Sequence, residues 1–247
     1  MITKITTVQE LKSYILAHHI DLQKFKDKND NEGTNRIEDP LKNPLLWNHL
    51  ISDQLYPAID FLLDYQSDWL TVNIAVALLQ SRNNHGLTKD RVEKIMEILS
   101  SRNVSDIDMV LLSLITDDKL KVLTIVFKYM KEKNISLNEN GAFIRGGISE
   151  AAKIGDMRLV ELIKEYYPDC IKKAEHWPYL NALKHGHYRM ALYFIHNGCN
   201  KHAIHDLGYK LLRRNYDKKL MPVTKEEIDA YNTIMDLYHI EQNSKVG

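Results

Sequence analysis

Six of the eleven histidines fall between His176 and His205, and both cysteines, Cys170 and Cys199, lie in or next to that stretch. Imidazole and thiolate are the side chains that ligate soft metals or supply nucleophiles. His176, His185, His187, His196, His202 and His205 could in principle form a metal site. However, His202-x-x-His205 lacks the glutamate of a zinc-protease helix, and Asp206 is its one nearby acidic residue. Two cysteines cannot make an all-cysteine zinc site or a disulfide framework. Cys199 with His202 would be a nucleophile–base pair, but no catalytic signature surrounds it. There is no phosphate-cradling glycine loop, nucleophile elbow or kinase motif set. The reading is a non-catalytic chain with no catalytic residues, no metal and no cofactor.

The second feature is charge. Lys+Arg and Asp+Glu are 33 each, so the formal net charge is zero. The zero is a cancellation. Residues 176–222 carry eight basic and two acidic residues, and residues 223–247 carry two basic and five acidic. The basic block comprises Lys184, Arg189, Lys201, Lys210, Arg213, Arg214, Lys218 and Lys219, with Tyr209 and Tyr216 interleaved. Basic and aromatic residues together can bind single-stranded nucleic acid, but the simplest reading is a solvated face partly neutralised by the acidic final helix. An acidic protein partner ranks second, with nucleic acid or phospholipid behind it.

The elements that must position these residues are helical. Thr7–His19 opens on a capping box, Thr7 to Glu10, and carries Leu11, Tyr14, Ile15 and His18 on one face. Residues 26–43 are polar and unperiodic and read as a long exposed loop. Helix pairs follow: Leu45–Ser52 with Tyr56–Tyr65, Val72–Ser81 with Arg91–Ser100, Asp108–Thr116 with Leu120–Lys131, Ile148–Ile154 with Met157–Tyr166, and Tyr179–Lys184 with Tyr188–His196. The turns at Ser52, Asn83, Asp117, Gly155 and Gly186 are spaced by 31, 34, 38 and 31 residues. Helices of two or three turns are marginal alone and must be buried by neighbours, and a repeat of this length marks a stacked helical array. Leu207–Arg214 and Val223–Ile240 would close the far end, the latter with a second capping box starting at Thr224. Ten glycines and six prolines are few for an all-β chain. Few Cys, no secretory leader and no bilayer-length apolar run suggest a cytoplasmic protein, with delivery into a host cell left open.

Two units resemble ankyrin repeats. Trp177–Asn200 keeps Pro178, Ala182, Gly186, His187, Ala191 and Gly198; Ile148–Tyr166 keeps Ala151, Ala152, Gly155, Val160 and Leu162. A weaker copy begins at Pro44-Leu45. The hairpin residues of the family are mostly missing, with Asn138-Glu139-Asn140-Gly141 the best remnant. The resemblance implies an all-α, ankyrin-like helical-repeat solenoid of about five helix pairs. It would comprise an N-terminal capping helix and loop (1–43), repeats (44–205) and a C-terminal helical cap (206–247). It also implies a protein–protein interaction module that meets its partner with hairpin tips and first helices, which puts Asn138, Asn140, Arg145, Glu150, Trp177, Tyr179, Asn181 and Lys184 on the binding surface. In the family, His187 would bond backbone in the turn. Trp47 and Trp69 read as core, and Trp177 as core or binding anchor. The alternative is a host-directed effector or enzyme using residues 176–222, or a binder of phosphorylated or nucleic-acid ligands there.

Overall fold

The computed structural model describes residues 4–25, 40–65, 70–80, 87–116, 119–137, 141–199, 207–212 and 224–244. Every regular element among them is helical. The chain divides into two compact units, Met1–Val110 with Lys128–Ile135, and Leu111–Phe127 with Ser136–Gly247. The division falls within α6 (Val104–Ser113) and α7 (Leu120–Glu132).

In the first unit, α1 (Val8–Ala17) starts where the sequence places its capping box. The Thr7 hydroxyl accepts the Glu10 N–H at 3.1 Å, and the Glu10 carboxylate accepts the N–H groups of Thr6 and Thr7. Leu11 and Ile15 are buried, whereas His18, expected on the same face, is exposed. The stretch read as an exposed loop ends in fixed structure. Pro40–Lys42 forms a 3-10 turn, and Leu41 and Asn43 are buried. The Asn43 side chain accepts the Leu45 N–H and donates to the Phe25 carbonyl, which ties α2 (Pro44–Ser52) back to the preceding segment. Residues 26–39 lie outside the described residues.

Next, α2 buries Leu46, Trp47 and Leu50, and α3 (Tyr56–Tyr65) buries Ala58, Ile59, Leu62 and Leu63. Trp47 is core, as its helical setting suggests. α4 (Val72–Gln80) and α5 (Lys89–Ser100) follow, and Thr88 caps α5 through the Arg91 N–H. Trp69 and the centre of the long turn, 81–86, lie outside the described residues. The polar ties between these helices are long in sequence but regular. Arg91 donates twice to the Asp60 carboxylate, at 2.6 and 2.7 Å, across 31 residues. Arg102 donates to the Leu70 carbonyl across 32.

The second unit holds α8 (Ala142–Ile154), α9 (Met157–Tyr166), the single turn α10 (Cys170–Lys173), α11 (Trp177–Lys184), α12 (Tyr188–His196), α13 (207–212) and α14 (Lys225–Ser244). The Phe127 ring stacks on Tyr166 at 4.8 Å and lies 5.7 Å from Phe143. α8 begins six residues before the apolar pattern predicts, because Phe143 and Ile144 are buried and extend it. α6 likewise begins four residues early, at Val104. Gly155 closes α8 with φ +88°, a left-handed conformation costly for any residue with a Cβ. The same ties recur here: Asn181 donates to the Ser149 carbonyl across 32 residues, and Lys164 to Asn197 across 33.

α14 packs against α12. Thr224 accepts the Glu227 N–H at 3.3 Å, and the Glu227 carboxylate accepts the Arg189 N–H at 3.0 Å, in the first turn of α12. The final helix therefore folds back on the last helix pair, through a carboxylate on a backbone N–H. Tyr188 meets Tyr231 edge to face, and Tyr238 reaches Tyr179.

Candidate functional site

α8 and α11 lie side by side, and their register can be read from contacts. Asn181 Nδ2 donates to the Ser149 carbonyl at 3.2 Å. The charges of Lys153 and Glu150 act on His185. The Ser149–Asn181 bond and the Lys153–His185 pair each correspond to an offset of 32 residues between the two helices, and the same offset pairs Arg145 with Trp177.

On α11, Trp177, Asn181 and Lys184 sit at i, i+4 and i+7, one face of a helix. The intervening Pro178, Tyr179, Leu180, Ala182 and Leu183 are all buried. Trp177 is 57% exposed, with the His176 ring tilted against it at 5.0 Å. An indole this open stands on the surface and is not core. Lys184, Arg145 and Lys153 are exposed, while Asn181 and Glu150 are half-buried. Lys153 pairs with Glu150 at 3.2 Å. The His185 imidazole is held below its ordinary value, first by partial burial and then by its neighbours Lys184, His187 and Lys153.

The structure thus brings together five of the eight residues that the sequence assigns to a partner: Arg145, Glu150, Trp177, Asn181 and Lys184. Tyr179 is a correction. It is 1% exposed, and its hydroxyl pairs with that of Tyr238 at 2.7 Å. Two positions after Trp177 on a helix, it points away from the exposed stripe into the unit. Asn138 and Asn140 lie outside the described residues, as do Lys201, Arg213, Arg214, Lys218 and Lys219 of the basic block. Lys210 is exposed on α13. Sequence reasoning missed Lys153, and it weighed His185 only as a metal ligand; the 32-residue offset that brings the two together comes from the Asn181–Ser149 bond.

The chemistry-bearing groups are dispersed. Among the described residues no three His, Cys, Asp or Glu side chains gather where a metal could bind; His202 and His205 lie outside those residues. His187 donates from Nε2 to the Lys153 carbonyl at 3.1 Å, a turn bond of the kind its Gly-His setting suggests. His196 ends α12, where a cation suits the helix dipole. Cys170 and Cys199 are free and buried. Burial pushes the Cys170 thiol up to about 11, which makes it a poor nucleophile, and Cys199 donates its S–H to the Glu175 carbonyl. An open groove of about 780 Å³ in the first unit is lined by Lys89, Glu93, Lys94, Glu97, Tyr129 and Lys133, and Lys89 and Lys94 are paired with neighbouring acids. No described helix is long and apolar enough to cross a membrane.

Comparison of the chain with family models, with curated proteins and with solved structures finds no match.

Proposed function

We propose that the chain is a divergent ankyrin-like helical-repeat solenoid that works as a non-catalytic protein-interaction module. The α8–α11 face, centred on Trp177, is its binding surface. The observation that carries the reading is the exposure of Trp177, a bulky indole in water on a helix whose other large side chains are buried. Exposed aromatics beside polar groups are the usual anchors of interfaces. The solenoid reading is supported by the polar ties at separations of 31, 32 and 33 residues in different parts of the chain. Repeats of one length, stacked side by side, place equivalent turns about one period apart. Left-handed Gly155 and Gly186 at successive inter-helix turns agree with it.

The test is photo-crosslinking from the full chain with p-benzoylphenylalanine in place of Trp177, and separately of Lys121, an exposed residue of α7. One protein captured in a cell extract from position 177, absent from position 121 and lost from pull-downs with Trp177→Ala, is the expected result. Equal capture from both positions, or none from 177, refutes the reading.

A further inference from the structure

The second unit holds a concave space of about 300 Å³, where the chain entering α8 meets α10 and the C-terminal end of α9. That is the lower end of the size range of small-molecule sites and suits a molecule of one or two rings. Its floor is Leu137, Ile144 and Cys170, which are 5%, 2% and 0% exposed. Its walls include Tyr166 and Tyr167. Both rings are held by core aromatics. Tyr166 stacks on Phe127 at 4.8 Å, and Tyr167 meets Phe127 and Phe143 edge-on at 6.0 and 6.2 Å. Phe127 and Phe143 are fully buried, so the walls cannot turn without moving the core. Walls fixed in advance give up little entropy when a ligand seats against them.

The lining carries one charge of each sign, Asp169 and Lys173, and Asp169 is exposed and 3.7 Å from Lys172. The floor carries no charge. Burial pushes the Cys170 thiol up to about 11, so it stays protonated. An ion brought onto that floor would lose its hydration and meet no counter-charge there. Water on the same floor finds few polar partners, and displacing it favours an apolar ligand.

We infer that this pocket is a binding site for a small, uncharged aromatic molecule, seated against Tyr166 and Tyr167 over the floor of Ile144 and Cys170. Stacked or edge-on contact with the two tyrosines and a sulfur–ring contact with Cys170 favour a flat aromatic over an aliphatic ring of equal size. None of the residues assigned to the Trp177 face lines the pocket, so the two sites stand independently.

The experiment is isothermal titration calorimetry of the full chain with naphthol. Naphthoate and naphthylmethylammonium supply the same rings with a charge of either sign, and decahydronaphthol supplies the saturated rings. One molecule of naphthol should bind per chain. Both ions should bind about tenfold more weakly, and the saturated compound about fivefold more weakly. Ile144→Phe, which adds a ring to the floor, should abolish naphthol binding. Ser136→Trp, at an exposed lining residue away from the core, should do the same. Melting followed by circular dichroism identifies which variants are folded, and either one suffices. Trp177→Ala should bind naphthol as the parent chain does. Absence of saturable naphthol binding overturns the inference, as does binding that survives in a folded pocket variant or is lost in Trp177→Ala. Equal affinity for an ion or for the saturated compound overturns the uncharged aromatic class. Crosslinking from position 177 does not involve this pocket, so either reading can fail alone.

Discussion

The His187 ring occupies the space that a side chain on Gly155 would need. A Cβ built on Gly155 would stand 2.5 Å from the imidazole, whose Nε2 donates to the Lys153 carbonyl in the last turn of α8. The glycine thus meets two demands at once, a left-handed backbone and an empty α-carbon beneath a neighbouring ring.

Gly155→Ala should therefore cost about 2 kcal/mol or more, part from the left-handed backbone and part from displacing the imidazole. His187→Ala should cost about 1 kcal/mol for the lost hydrogen bond. In the double variant the penalties should sum to less than the two singles, because the clash is gone. Urea unfolding of the four proteins measures this, and strict additivity would show that the ring does not press on the glycine.

The Arg91–Asp60 fork is asymmetric. Arg91 is nearly buried, its guanidinium lies 4.6 Å over the Tyr56 ring, and one of its terminal nitrogens has no partner, while Asp60 is half-exposed. Removing Asp60 strands a buried cation, whereas removing Arg91 leaves an acid that water can solvate. Asp60→Ala should destabilise by about 2 kcal/mol, and Arg91→Met by about half that. The order of the two unfolding midpoints is the check.

Cys170 provides a pH-dependent test. Its thiol is shifted from an ordinary 9.0 to about 11 by burial. The folded state keeps the proton where the unfolded chain loses it, so its contribution to stability is complete below pH 9 and lost as pH rises to about 11. Unfolding free energy should fall over that window, and Cys170→Ala should fall less steeply. In native protein at pH 8, Cys170 should resist iodoacetamide until denaturant is added. Rapid labelling of the native chain at Cys170 would contradict the burial.

Docking of the final helix includes two polar contacts that can be removed singly. Glu227→Gln weakens the cap on α12 and should cost about 1 kcal/mol. Tyr238→Phe leaves the buried Tyr179 hydroxyl without its 2.7 Å partner and should cost about 1–2 kcal/mol. Hydrogen exchange in α12 should quicken in both. Unchanged exchange would mean that α14 contributes nothing to the stability of α12.

Much of the helix layout was legible because it is local. α3, α9 and α12 begin and end where the apolar period places them, and the capping box of α1 is a four-residue pattern that needs no tertiary partner. The misreadings arose where distant contacts override local signal. The apolar pattern starts this helix at Ile148, yet burial of Phe143 and Ile144 extends α8 back to Ala142. Tyr179 looked like a companion of Trp177 in the sequence, but two helical steps turn it into the unit, where Tyr238 meets it from 59 residues away. The single turn at Cys170 is too short to have a period. On the candidate surface, the residue types of α11 were readable. The pairing of α11 with α8 was readable only once the 32-residue offset was known.

The cover that α14 gives α12 also has a consequence for vectorial synthesis. α12 ends at His196 and α14 at Ser244, 48 residues later. At ordinary translation speeds, roughly 2–10 s separate their appearance. During that interval Tyr188 and Tyr179 belong to a finished helix pair with no lid, so the nascent chain presents a sticky aromatic face that the mature protein does not have.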